Sequence, residues 1–107
     1  MQCDPSDESP AQPDPRPPEE AVVRRRNRMA ALGAAELLGL IGQAAHDYAR
    51  ELVGGHDHLP DEEHVVSRLS RDLRGVVTAR EIREKLGHLW HEARRQLLSE
   101  TRQRRGK

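Results

Sequence analysis

One stretch of the sequence, residues 29–53, constrains the fold more than any other. It reads MAALGAAELLGLIGQAAHDYARELV and is the most apolar run in a chain that is only 35% hydrophobic. Apolar residues recur in it at spacings of three and four, which predicts one face of a long α-helix. That face consists of Ala30, Ala34, Leu37, Ile41, Ala44, Tyr48 and Leu52. We therefore expect one helix to run through the whole stretch.

A second flank of this helix carries small residues, among them Gly39 and Gly42. Because glycine inside a helix costs about 0.8–1 kcal/mol relative to alanine, we interpret these positions as sites where another backbone packs closely. The apolar surface of this helix is then larger than two further helices of the same chain can cover. This excess favours binding to a protein partner or to a second copy of the chain. The residues that we predict at this interface are Leu37, Leu38, Ile41, Gly42, Ala45, Tyr48 and Leu52.

The first 18 residues differ from the rest in composition. They contain six of the seven prolines, separated mainly by Asp, Ser, Gln and Glu. A segment of this kind cannot bury enough apolar surface to fold, so we predict a disordered tail over residues 1–18. Residues 1–20 hold six acids and one arginine, whereas residues 61–107 hold twelve Lys and Arg against eight acids. This asymmetry suggests separate roles for the tail and the body.

Helix start and stop signals divide the remainder of the chain. Gly54 is typical of a helix C-terminus, and Pro60 followed by three acids is typical of a helix start. Thr78 and Glu81 form a Thr-x-x-Glu capping box, which predicts the start of a further helix. We therefore predict an all-α fold, a small three-helix antiparallel bundle behind the tail. Its domain spans residues 19–105, with helices at about 19–53, 60–74 and 78–104.

No set of residues in the sequence indicates a reaction. No serine lies in a glycine elbow, no glycine loop matches a phosphate-binding pattern, and the single cysteine, Cys3, lies in the tail. One cysteine gives no disulfide framework and agrees with a reducing compartment. We therefore predict a non-catalytic cytoplasmic protein without a cofactor, and the Arg and Ala content suggests a bacterial source. Glu36 interrupts the apolar run, which is too polar to span a bilayer, so we expect no membrane insertion.

The six histidines leave a metal site open as a weaker possibility. His56 and His58 flank Asp57, and His64 follows shortly after. Zinc and other divalent metals accept imidazole and carboxylate ligands, but the spacing here matches no named zinc pattern. If a zinc site exists, we expect its ligands to include His56, His58 and His64.

Residues 78–87, TAREIREKLG, resemble the first helix and turn of a helix-turn-helix unit, in which Thr-x-x-Glu-Ile-x-x-x-Leu-Gly is frequent. The resemblance implies a unit at residues 78–98 whose second helix enters the major groove of DNA. A turn at Gly87 would support this interpretation, and a continuous helix through Gly87 would count heavily against it. The candidate nucleic-acid contacts are His91, Arg94, Arg95, Arg102, Arg104 and Arg105.

The sequence therefore supports two kinds of function. The first is a small non-catalytic interaction or regulatory protein that forms a homodimer or binds another protein through its apolar first helix. The alternative is a DNA-binding transcriptional regulator that uses the helix-turn-helix-like unit and the basic C-terminus. The sequence names neither the protein partner nor the pathway.

Overall fold

A computed structural model describes residues 17–54 and 59–105, with the backbone alone at Arg105. Within these ranges the chain is all-helical, but the predicted three-helix bundle is wrong because the chain forms four helices. The predicted tail over residues 1–18 lies outside the described residues except for its last two. The helices are α1 (Glu19–Leu37), α2 (Gln43–Val53), α3 (Glu62–Asp72) and α4 (Ala79–Arg105).

The predicted long first helix is interrupted between α1 and α2. Gly39 and Gly42 have φ angles of 80° and 60°, which residues with a β-carbon rarely adopt. The Gly39 N–H donates to the Glu36 carbonyl at 3.1 Å, and the Leu40 N–H donates to the Ala35 carbonyl at 2.8 Å. These two bonds form a Schellman motif, which ends α1. A β-carbon at either glycine would meet no atom within 4 Å, so the glycines serve the turn and not close packing.

α1 occupies the centre of the bundle and packs against α2, α3 and α4, while α3 packs against α4. α2 folds back along α1, since the Asn27 side chain reaches the Leu52 carbonyl at 3.5 Å. α4 also runs antiparallel to α1, because Arg25 near the start of α1 donates to Glu100 near the end of α4 at 3.0 Å. The bundle therefore presents the α1–α2 turn at the end opposite these polar contacts.

The core is built from small and medium-sized side chains. Ala31 and Ala35 on α1 are fully buried, and their short side chains let the neighbouring helices approach closely. Leu52 on α2 is 1% exposed, and burial of such a side chain contributes about 1.5–3 kcal/mol. The core cluster consists of Ala31, Ala34, Ala35, Tyr48, Ala49, Leu52, Val65, Val66, Leu69, Leu73, Ile82 and Leu86.

The predicted start signals of the last two helices have clear structural counterparts. The Asp61 carboxylate accepts a hydrogen bond from the His64 N–H at 2.8 Å and caps α3, which is shorter than predicted. The capping box is confirmed, because the Thr78 N–H donates to the Glu81 carboxylate at 2.8 Å and the Glu81 N–H donates to the Thr78 hydroxyl at 3.1 Å. From this box α4 runs without a break through Gly87 to its last residue.

Candidate functional site

The α1–α2 turn exposes large apolar side chains. Leu37, Leu38 and Ile41 are 59%, 38% and 83% exposed. They point away from the core because the Schellman motif turns the chain at this position. Exposed apolar patches on protein surfaces commonly mark interaction sites. We call these three residues the apolar tip.

An apolar groove begins beside the apolar tip and runs between α1 and α4. Its volume is about 420 Å³, and α3 closes its floor with Leu69 and Leu73. The α1 wall contains Gly33, where an added β-carbon would meet no atom within 4 Å, so the groove is open at this point. We call this feature the α1–α4 groove, and its apolar lining includes Met29, Ala30, Gly33, Leu37, Ile82, Leu86 and Leu89.

The walls of the α1–α4 groove carry opposite charges. Glu36 lies on the α1 wall and Lys85 on the α4 wall. Neither side chain forms an ion pair within the described parts of the chain, whereas Glu81 beside them caps α4. The two unpaired charges are therefore available to a ligand that enters the groove.

Arg25 and Arg26 of the basic stretch at residues 24–28 form contacts inside the bundle. Arg25 donates to Glu100, and Arg26 donates to Glu62 at 3.1 Å. Arg26 is only 6% exposed, and it also donates to the Asn27 side chain through Nε at 3.2 Å and Nη2 at 3.0 Å. These arginines hold the helices together.

A second polar cluster joins α2 to α3. The Tyr48 hydroxyl donates to the Asp72 carboxylate at 2.7 Å, and Arg68 donates to Asp72 at 2.8 Å and to Glu51 at 2.6 Å. Burial raises the pKa of the Tyr48 hydroxyl, and its hydrogen bond to Asp72 acts in the same direction. Burial alone would raise the pKa of the Asp72 carboxyl, but the hydrogen bonds from Tyr48 and Arg68 and the nearby positive charges hold it below its ordinary value.

We expect this cluster to make the bundle less stable in acid. Because the folded-state pKa of Asp72 lies below its unfolded value, its contribution is present above the unfolded pKa and is lost as the pH falls through the folded pKa. The urea concentration at the midpoint of unfolding should therefore decrease when the pH is lowered below about 4. In Asp72→Asn this decrease should be smaller. Glu36→Gln is the matched control, since this carboxylate forms no ion pair within residues 17–54 and 59–105. An identical pH dependence in Asp72→Asn and the wild type would contradict the assignment.

The candidate nucleic-acid contacts lie along one continuous helix. α4 passes through Gly87 without the turn that a helix-turn-helix unit needs, so the structure counts heavily against that alternative. Arg95 forms an ion pair with Glu92. The other candidate residues also belong to α4, and only the backbone is described at Arg105. These residues are His91, Arg94, Arg102, Arg104 and Arg105.

The candidate metal ligands are not brought together in the described chain. His56 and His58 lie outside the described residues, and His64 is exposed on the first turn of α3. Over residues 17–54 and 59–105, no group of three or more His, Cys, Asp or Glu side chains is placed to hold a metal ion. None of the helices in these ranges has the length and hydropathy needed to cross a bilayer.

The predicted partner interface is divided by the break between α1 and α2. Tyr48 and Leu52 are buried in the core of the same chain, and Ala45 is half-buried against that core. Gly42 is exposed and is the N-cap residue of α2, next to Ile41 of the apolar tip. The α1–α4 groove was not predicted from the sequence, in which small residues at positions 30, 33 and 34 indicate an open face of α1 but not what lies opposite it. The interface itself stays a prediction.

A model of the family described as ATPase inhibitor subunit zeta matches residues 20–96. No curated protein and no solved structure matches the chain. The matched residues cover nearly all of α1, the whole of α2 and α3, and the first two thirds of α4. The match therefore spans the part of this chain that carries the apolar tip and the α1–α4 groove.

Proposed function

The chain belongs to the ATPase inhibitor subunit zeta family, and we propose that it binds an ATPase and lowers the rate at which that enzyme hydrolyses ATP. The observation that carries this proposal is the family match across all four helices. A regulatory subunit of this kind acts through protein contacts and needs no catalytic centre of its own. The partner is then the ATPase itself.

The apolar tip supports a role in binding. Ile41 is 83% exposed, and transfer of such a side chain into an interface contributes about 1.5–3 kcal/mol. Leu37 and Leu38 adjoin it, so the three side chains can be buried together. Three exposed Arg–Glu pairs lie on α3 and α4, and exposed ion pairs of this kind contribute only about 0–1 kcal/mol. We place the first contact with the ATPase at the apolar tip.

The rigidity of α1 supports the same proposal. Arg25 and Arg26 tie its first half to α4 and α3, and buried alanines fix its second half against the core. A surface that is already ordered loses little conformational entropy on binding. Leu37, the tip residue that ends α1, is therefore presented in a defined orientation.

We expect the full chain to inhibit ATP hydrolysis by the ATPase of the same organism in a saturable way. Ile41→Asp should raise the concentration for half-inhibition by about tenfold, since a charge in place of this side chain opposes burial. A coupled assay of ADP release measures the rate, and light scattering of the mixture measures the complex. Ser99→Asp is the matched control, because it adds the same charge to an exposed position of α4.

Two outcomes would count against the proposal. An unchanged rate of ATP hydrolysis at saturating chain, together with no complex in light scattering, would overturn it. Equal inhibition by Ile41→Asp and the wild type would show that the apolar tip does not contact the ATPase. Light scattering of the chain alone also tests the predicted homodimer.

A further inference from the structure

The α1–α4 groove has the length of a short helix. Its α1 wall runs from Met29 to Leu37 and its α4 wall from Glu81 to Leu89. At a rise of 1.5 Å per residue, each wall is roughly 12 Å long, which corresponds to about two helical turns. A helix of that length fills an apolar groove with side chains at i, i+3 or i+4, and i+7.

The charged walls of the groove lie at the same level of the bundle. Arg25 donates to Gln96 at 3.1 Å and to Glu100 at 3.0 Å, which aligns this part of α1 with residues 96–100 of the antiparallel helix α4. Glu36 lies eleven residues after Arg25, and Lys85 lies eleven residues before Gln96. The two unpaired side chains therefore flank the groove from opposite sides. A helix between them is complementary when it carries a basic residue on one edge and an acidic residue on the other.

From these features we propose that the α1–α4 groove binds a two-turn amphipathic helix of the partner ATPase. Three apolar side chains of that helix fill the groove, a basic residue faces Glu36 and an acidic residue faces Lys85. This inference rests on the proposed function, because it assigns the helix to the ATPase. The opposite charges fix the direction in which the helix lies, since a reversed helix would place like charges together.

The chain itself does not supply an occupant of this chemistry. Residues 1–16 are acidic, and apart from four prolines, which break a helix, their apolar side chains are Met1, Cys3 and Ala11, which cannot provide three large anchors along a helix. A second copy would offer its apolar tip, but Leu37, Leu38 and Ile41 lie at a break between helices and not along one helix face. The occupant is therefore a helix from another protein.

Two glycines give a matched test. Gly33 lies in the α1 wall of the groove, and Gly87 lies on α4 outside it. Both are exposed helical glycines with no atom within 4 Å of an added β-carbon, so leucine should fit at either and improve helix propensity. We expect Gly33→Leu to weaken binding to the purified ATPase by at least about tenfold, because the side chain fills the groove. Gly87→Leu should stay within about twofold of the wild type.

A charge reversal tests the orientation independently. Lys85→Glu should weaken binding several-fold, whereas Arg102→Glu, which changes the net charge equally on an exposed part of α4, should have little effect. Thermal unfolding confirms that each variant is folded. Wild-type affinity in both Gly33→Leu and Lys85→Glu would overturn the groove proposal while the inhibition by the wild type still stands. If the wild-type chain itself does not bind the ATPase, the proposed function fails instead.

Discussion

Replacing Asn27 with alanine should lower the free energy of unfolding by about 2–4 kcal/mol. Asn27 is 0% exposed, and its side-chain oxygen accepts hydrogen bonds from Nε and Nη2 of Arg26. With alanine at this position, Nε and Nη2 of Arg26 would lose their acceptor. The Arg26 side chain is buried, since the residue is only 6% exposed. Because a domain of this size is stable by about 5–15 kcal/mol, the loss is a large fraction of the total. Urea unfolding followed by circular dichroism measures it.

The matched control removes the charge and its acceptor together. A double variant, Arg26→Met with Asn27→Leu, buries no unpaired donor, and apolar replacement of both partners is often close to neutral. Glu62 loses its partner in this variant, but its side chain is 51% exposed and stays hydrated. The double variant should therefore be more stable than Asn27→Ala. If it is equally or less stable, lost packing rather than an unsatisfied guanidinium sets the cost.

Features that depend on local interactions were predictable from the sequence. The capping box at Thr78 and Glu81 needs only residues three apart, and both of its hydrogen bonds form. The apolar period through Leu86 and Ala93 continues past Gly87, and α4 is continuous there. A single helical glycine costs about 1 kcal/mol, which a long amphipathic helix tolerates.

The break between α1 and α2 was missed because apolar periodicity does not distinguish one long helix from a helical hairpin. Each helix of a hairpin also needs an apolar face, so the stripe can continue in phase across the turn. The sequence does contain a local signal, since Gly39 is followed by the apolar Leu40, which is the pattern of a Schellman motif. We interpreted Gly39 as a packing site, and its positive φ angle shows that it is a helix end.

The α1–α4 groove could not be derived from the sequence because it depends on how three helices meet. Gly33 and Ala30 leave space only where α3 and α4 stand at a particular distance from α1. The burial of Arg26 has the same origin, since its partner Glu62 lies 36 residues away in the chain. One arginine of the basic cluster is therefore buried and joins α1 to α3.

Leu52 and Ile41 provide the sharpest test of the break, because both belong to the predicted apolar stripe and the structure separates them. Leu52→Ala should lower the free energy of unfolding by about 2–5 kcal/mol, since it removes a core side chain that is 1% exposed. Ile41→Ala should change it by less than about 0.5 kcal/mol, because that side chain is 83% exposed. The same urea titration measures both.

A single helix through residues 19–53 would place the two side chains on one face, and their truncation would then have similar effects. Similar losses of stability in Leu52→Ala and Ile41→Ala would therefore contradict the turn at Gly39. With the turn present, the order of the two effects should be reversed for binding: Ile41→Ala should weaken the affinity for the ATPase more than Leu52→Ala does. Ile41→Ala remains folded and loses affinity, whereas folded Leu52→Ala, studied well below its unfolding temperature, keeps its apolar tip and should still bind.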